Sequence, residues 1–170
     1  NKNVEFSYEI DWHGNHKNFP HISNIQWDFK DQMQMTDCNG GGKLYYIYDA
    51  NGMRVRKVVE NIHNNPVTET RYLGDFEIFI KHDNGNGEEE IEILHIMDEQ
   101  EGVALVETRP KMNGNALNPY TKMRYQLSDH LESSVFEVSQ DCTPISFEEY
   151  YPYGGTAYHE VNKSAGFSPK

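Results

Sequence analysis

A chain of 170 residues is long enough for one domain with its own core, and an aromatic content of 12%, 11 Tyr included, argues against a disordered tract. A formal net charge of −12 repels phosphate, which excludes nucleic acid as a partner class. No stretch is apolar enough to span a membrane, and the first residues carry no signal-peptide pattern; starting at Asn1 without a Met, the chain is expected to be a piece of something longer.

Along the chain, helical periodicity is nearly absent and period-two alternation is frequent, which predicts short strands. Tyr8, Asp11 and Gly14 come first and reappear 38 residues later as Tyr46, Asp49 and Gly52. Asp suits the first position of a type I turn, where its carboxylate accepts a backbone N–H, and Gly suits the position where φ must be positive. Each copy is therefore a β-hairpin closed by a bulged turn, a unit that needs neighbours to bury its apolar face. Between the copies, Ile25, Trp27 and Phe29 alternate with polar residues. Lys43 to Asp49 and Met53 to Glu60 form the best hairpin. Arg71 to Lys81 is a strand region with a bend at Leu73-Gly74-Asp75. Asp83 to Gly87 is a loop tip, and Glu88 to Met97 and Val103 to Glu107 return as strands. Met112 to Asn115 and Pro119 mark the next loop. Tyr125, Asp129 and Glu132 form a third, damaged copy, because Glu stands where Gly is expected, at a cost on the order of 1 kcal/mol. Ser134 to Ser139 and Thr143 to Tyr150 flank Gln140-Asp141-Cys142, which is expected as a two-residue hairpin turn. The fold class is all-β, a hairpin spiral or solenoid over residues 1–155 with residues 156–170 as a loosely held tail. The terminal strand edges are expected at Glu5–Ile10 and Thr143–Tyr151.

No segment makes a convincing catalytic, cofactor or metal site. His13, His16 and His21 lie in a turn-rich stretch with only Asp11 nearby, so they read as solvated loop histidines. The loop at 83–88 lacks the twelve-residue calcium pattern. Asp129-His130 beside Ser133-Ser134 has no nucleophile elbow around it and reads as a structural turn. Glu148 and Glu149 point to opposite faces of a strand. Gly40-Gly41-Gly42 precedes a strand rather than a helix, so it cradles no phosphate. Cys38 and Cys142 have no metal spacing and read as two free thiols, with a disulfide between them left open.

Tyr48-Asp49 with Gly52 and Arg54 resembles the Tyr-Asp repeat of the Rhs/YD-repeat family. So do Trp27 to Gln32, Arg71 to Glu77 and Ala104 to Thr108. Asp129-His130-Leu131-Glu132-Ser133, followed by Glu148-Glu149-Tyr150-Tyr151-Pro152-Tyr153-Gly154, resembles the elements that lead into the family's core-associated segment. The likeness is closest to shell proteins of the bacterial insecticidal toxin-complex type and of polymorphic Rhs toxins. It implies a non-catalytic stretch of a hollow β-shell, secreted or extracellular as part of a larger protein. The implied partners are neighbouring repeats and an encapsulated toxin domain, with self-association through strand edges in the isolated piece. The chain stops before the core-associated segment, so no family catalytic residue maps onto it. Glu132 and Cys142 depart from the family's turn Gly. The competing readings are a teneurin-like cell-surface or carbohydrate-binding module and a hydrolase using Asp129 or His130.

Overall fold

A computed structural model describes residues 7–83, 87–99, 101–131 and 133–165. Twelve strands follow one another: β1 (Asn24–Trp27), β2 (Met33–Asp37), β3 (Lys43–Tyr48), β4 (Arg54–Glu60), β5 (Pro66–Leu73), β6 (Phe76–Asp83), β7 (Gly87–Asp98), β8 (Glu101–Met112), β9 (Asn115–Ser128), β10 (Ser134–Ser139), β11 (Pro144–Tyr150) and β12 (Thr156–Val161). They form one sheet in sequence order, every neighbouring pair antiparallel. Among the described residues the only helical element is a 3-10 turn at Lys163–Ala165, so the all-β expectation holds. No helix of the described residues is long and apolar enough to cross a membrane.

The expected hairpins form where turn residues meet alternating strands. Gly74 and Asp75 make the two-residue link between β5 and β6, with φ +66° at Gly74. Asn113 and Gly114, at φ +51° and +76°, make the Asn-Gly link between β8 and β9. Several expectations are corrected. Pro119 marks no loop: it lies within β9, where the register slips opposite Arg109–Lys111, a bulge that spares proline a ladder N–H. Residues 156–161 are not a loose tail but β12, paired along β11. The segment 143–151 is therefore interior, and among the described residues the sheet edge lies at β12. At the other end, Glu5 and Phe6 lie outside the described residues, as does the tip of the 83–87 loop.

Because side chains alternate and the registers are fixed, each face can be traced across the sheet. One face carries Phe79, Ile91, Ile93 and Leu105, which pack as the apolar core, and also Glu107, Arg124 and Glu137. The opposite face carries buried Glu69 and Ile80. It also bears a row running from Ile96 through Ala104 and Tyr125 to Val138, and a second from Leu127 through Phe136 to Phe147. Ile96, Leu94, Tyr125 and Leu127 on that face are exposed.

Candidate functional site

The turn built around Asp49 sets the pattern. Asp49 N–H donates to the Met53 carbonyl, Gly52 N–H donates back to the Asp49 carbonyl, and the Asp49 carboxylate accepts from the N–H groups of Asn51 and Met53. Gly52 has φ +85°. The same bonds recur around Asp11, with Gly14 at φ +96°. They also recur at turns without the Asp-to-Gly spacing. Asp28 heads a turn with Asp31 at φ +59°, and Asn61 heads one with Asn64 at φ +58°. The expected two-residue turn at Gln140–Cys142 is instead this five-residue turn: Ser139 is the head, its Oγ accepts from Thr143 N–H, and Cys142 sits at φ +61°. Tyr151 heads the last one without a side-chain cap, with Gly154 at φ +79°. Around Asp129 the head accepts from Leu131 and Ser133 as Asp49 does. Glu132, and with it the expected strain, lies outside the described residues.

Strand alternation sends successive turns to opposite edges of the sheet, so the Asp11, Asp28, Asp49, Asp129 and Tyr151 turns share one edge. The first three touch. His13 Nδ1 lies 2.5 Å from Asp31 Oδ1, and Asn15 Nδ2 bridges Asp11 and Asp31. Lys30 Nζ donates to the Ala50 carbonyl, and Gln32 Nε2 donates to that of Gly52.

An aromatic residue immediately before the turn head braces this edge. Tyr48, before Asp49, donates its hydroxyl to the Met33 carbonyl at 2.9 Å. Tyr150, before Tyr151, donates to the Ser134 carbonyl at 3.0 Å, and Trp27, before Asp28, donates its indole N–H to the His16 carbonyl at 2.8 Å. Each acceptor is the residue five beyond the head of the preceding turn on that edge. Burial raises the pKa of the Tyr48 and Tyr150 phenols above the ordinary value, so both remain protonated donors. The tyrosines at the repeat positions make other contacts. Tyr8 packs edge-on against His16 and Phe19, Tyr46 lies under the Arg54 guanidinium, and Tyr125 is an exposed member of the apolar row.

The second feature is a charge ladder inside the sheet. Arg124, 1% exposed, donates to Glu107 Oε2 at 2.8 Å and to Glu137 Oε2 at 3.1 Å. Arg109 donates to Glu107 Oε1 and to Glu89 Oε1. Gln126 and Ser146 complete the contacts of Glu137. On the opposite face Glu69 is gripped by Arg56 and Arg71, and the hydrogen bond from Arg56 leads in holding its carboxyl below the usual range. Nothing in the sequence singled out these residues.

The hydrogen bonds of these groups close turns and join strands. The Asp129 carboxylate is held low by the Leu131 N–H and then by that of Ser133. Ser139 Oγ contacts Asp141 and its own turn. No group of three or more His, Cys, Asp or Glu residues among the described residues could hold a metal ion. Cys38 and Cys142 are free thiols.

No family model matches this sequence. Toxin subunit YenC1 of Yersinia entomophaga is 35% identical over 116 residues, which are 66% of this chain and 12% of that protein. The crystal structures of TcdB2-TccC3-TEV and TcdB2-TccC3-Cdc42 superpose with a TM-score of 0.73 each, at 24% identity, covering 91% and 94% of this chain and 8% of theirs. These likenesses support the Rhs/toxin-complex shell family for this chain. It spans about 12% of the length of the curated relative. Here the Tyr-Asp pair has two separable tasks: Asp49 closes its own turn, and Tyr48 ties that turn to the previous one.

Proposed function

We propose that this chain is a non-catalytic wall segment of an Rhs-type shell that encloses a toxin domain, within a larger bacterial protein that acts outside the cell. The observation that carries the reading is the sheet itself. Twelve strands, each paired only to its sequence neighbours, make a ribbon that extends without closing on itself, and such a ribbon suits a wall. One face holds the apolar core and the charge ladder. The other leaves Leu94, Ile96, Tyr125 and Leu127 exposed. A contiguous apolar row on a sheet face calls for cover, and in a hollow shell an enclosed chain or a neighbouring wall supplies it. Partners are accordingly adjacent repeats and the enclosed domain.

Protease digestion of the full-length protein that contains this segment tests the reading. The enclosed domain should survive digestion in the intact protein and become cleavable when residues 129–165 are deleted. Equal cleavage of the two forms would contradict it.

A further inference from the structure

We infer that Asn39 is a self-modification site. In the folded chain its side-chain amide converts spontaneously to an acid, through a ring closed by the Gly40 backbone nitrogen, while the other described Asn-Gly pairs are protected. Asn-Gly occurs at Asn39, Asn51, Asn84, Asn86 and Asn113. Asn84 and Asn86 lie outside the described residues. Glycine has no side chain to shield its nitrogen, so each pair is open to the same reaction. The Gly nitrogen attacks Asn Cγ, the Cγ–Nδ2 bond breaks, and the amide nitrogen leaves as ammonia with the Gly proton. Water then opens the five-membered succinimide at either carbonyl. One opening gives aspartate; the other reroutes the main chain through Cγ and gives isoaspartate. Water is the sole co-reactant.

All three described asparagines are exposed, so access of water does not separate them. The state of the glycine N–H does. That of Gly52 donates to the Asp49 carbonyl at 3.2 Å, and that of Gly114 donates to the Glu88 carbonyl of β7 at 2.9 Å. Among the described residues the Gly40 N–H donates to no carbonyl: its turn is closed by Cys38 N–H on Gly42 and Gly41 N–H on Cys38. A nitrogen must shed its proton and turn toward Cγ to react, so a bond to a carbonyl has to break first. That slows ring closure about fivefold, the worth of one backbone bond. Space agrees. A carbon placed on Gly40 would meet nothing within 4 Å, whereas one on Gly52 would lie 2.8 Å from Gln32 Nε2. The product alters the turn. Asn39 Nδ2 donates to the Pro20 carbonyl at 3.4 Å, a link that either acid loses, and isoaspartate lengthens the main chain between β2 and β3. The inference does not depend on what the shell encloses.

The test ages the folded 170-residue chain in mildly alkaline buffer and follows each site by mass spectrometry of tryptic peptides. Cleavage after Lys30, Lys43, Arg54, Lys111 and Lys122 places Asn39, Asn51 and Asn113 on separate peptides, 31–43, 44–54 and 112–122. Asn39 should convert at least about fivefold faster than Asn51 and Asn113, and the three rates should converge to within about twofold in urea, where the bonds to Gly52 and Gly114 are gone. Isoaspartate should appear beside aspartate at position 39, which direct hydrolysis of the amide does not give. Asn39→Gln should silence the first peptide and leave the other two rates unchanged. Equal rates in the folded chain, faster conversion at Asn51 or Asn113, a spread that persists in urea, or aspartate alone at position 39 would each overturn the inference.

Discussion

At the residue scale the recurring decision is which side chain occupies the third position after a turn head. Gly14, Gly52 and Gly154 hold it without strain, whereas Asp31, Asn64 and Cys142 hold it at positive φ with a Cβ. Cys142→Gly should therefore stabilise the chain by roughly 0.5–1 kcal/mol, and Asn64→Gly by less, because Asn tolerates this conformation. By sequence position alone Glu132 is third after Asp129, and Glu132→Gly is expected to gain roughly 1 kcal/mol. Urea unfolding midpoints measure all three. Gly42 is a different case. A Cβ there would lie 2.0 Å from the Glu60 carbonyl oxygen, while one at Gly14 would meet nothing within 4 Å. Gly42→Ala should cost several times the loss of about 1 kcal/mol expected for Gly14→Ala, since backbone rather than a flexible side chain must give way.

This position also explains what the sequence revealed. Asp49 with Gly52 and Asp11 with Gly14 were legible because both residues are the types their conformations demand. The turns at Asp28 and Asn61 carry no such signal, and the one at Ser139 reads as a shorter turn, because Asp31, Asn64 and Cys142 disguise the left-handed position.

At the scale of elements, braces and ladders tie strands together. Tyr48→Phe and Tyr150→Phe remove one hydroxyl each from a half-buried bond, so each should lower stability by about 1 kcal/mol and speed amide exchange in the flanking hairpins. The acceptors are backbone carbonyls, which carry no sequence identity, so the task of Tyr48 could be recognised only once register was known. The same holds for Arg124. Charged residues in alternating strands read as a solvent face, yet register places Arg124 between Glu107 and Glu137 and buries it. Arg124→Ala removes the cation beside Glu137 and one of the two arginines on Glu107 and should cost about 3 kcal/mol, whereas replacing Arg124 and Glu107 together by Leu should cost less than the sum of the single changes.

Glu69 gives a pH-dependent counterpart. Its carboxyl pKa is lowered in the folded chain, chiefly by Arg56. A lowered folded pKa means the carboxylate stabilises above its unfolded value of about 4.3, and that contribution fades as pH falls through the folded value. The stability difference between the natural chain and Glu69→Gln should be constant from about pH 7 to 5 and shrink below about pH 4. Urea unfolding across that range measures it, and a difference that grows in acid would have the wrong sign.

For the whole molecule, the central claim is that the chain is a wall: a ribbon in which each strand leans only on its neighbours. The strands are longest in the middle, at β7, β8 and β9, where Ile91, Ile93, Leu105 and the Arg124 ladder are buried. They are shorter toward both ends. In a quasi-one-dimensional array, stability is a sum of local terms, so it should grade along the chain rather than be shared uniformly. Native-state amide exchange of the isolated chain, followed at increasing urea below the unfolding midpoint, tests this most directly. The account predicts the greatest protection in 91–109 and 121–127, falling stepwise toward β1 and β12. One common opening free energy for all twelve strands, or greatest protection at a terminal strand, would contradict it.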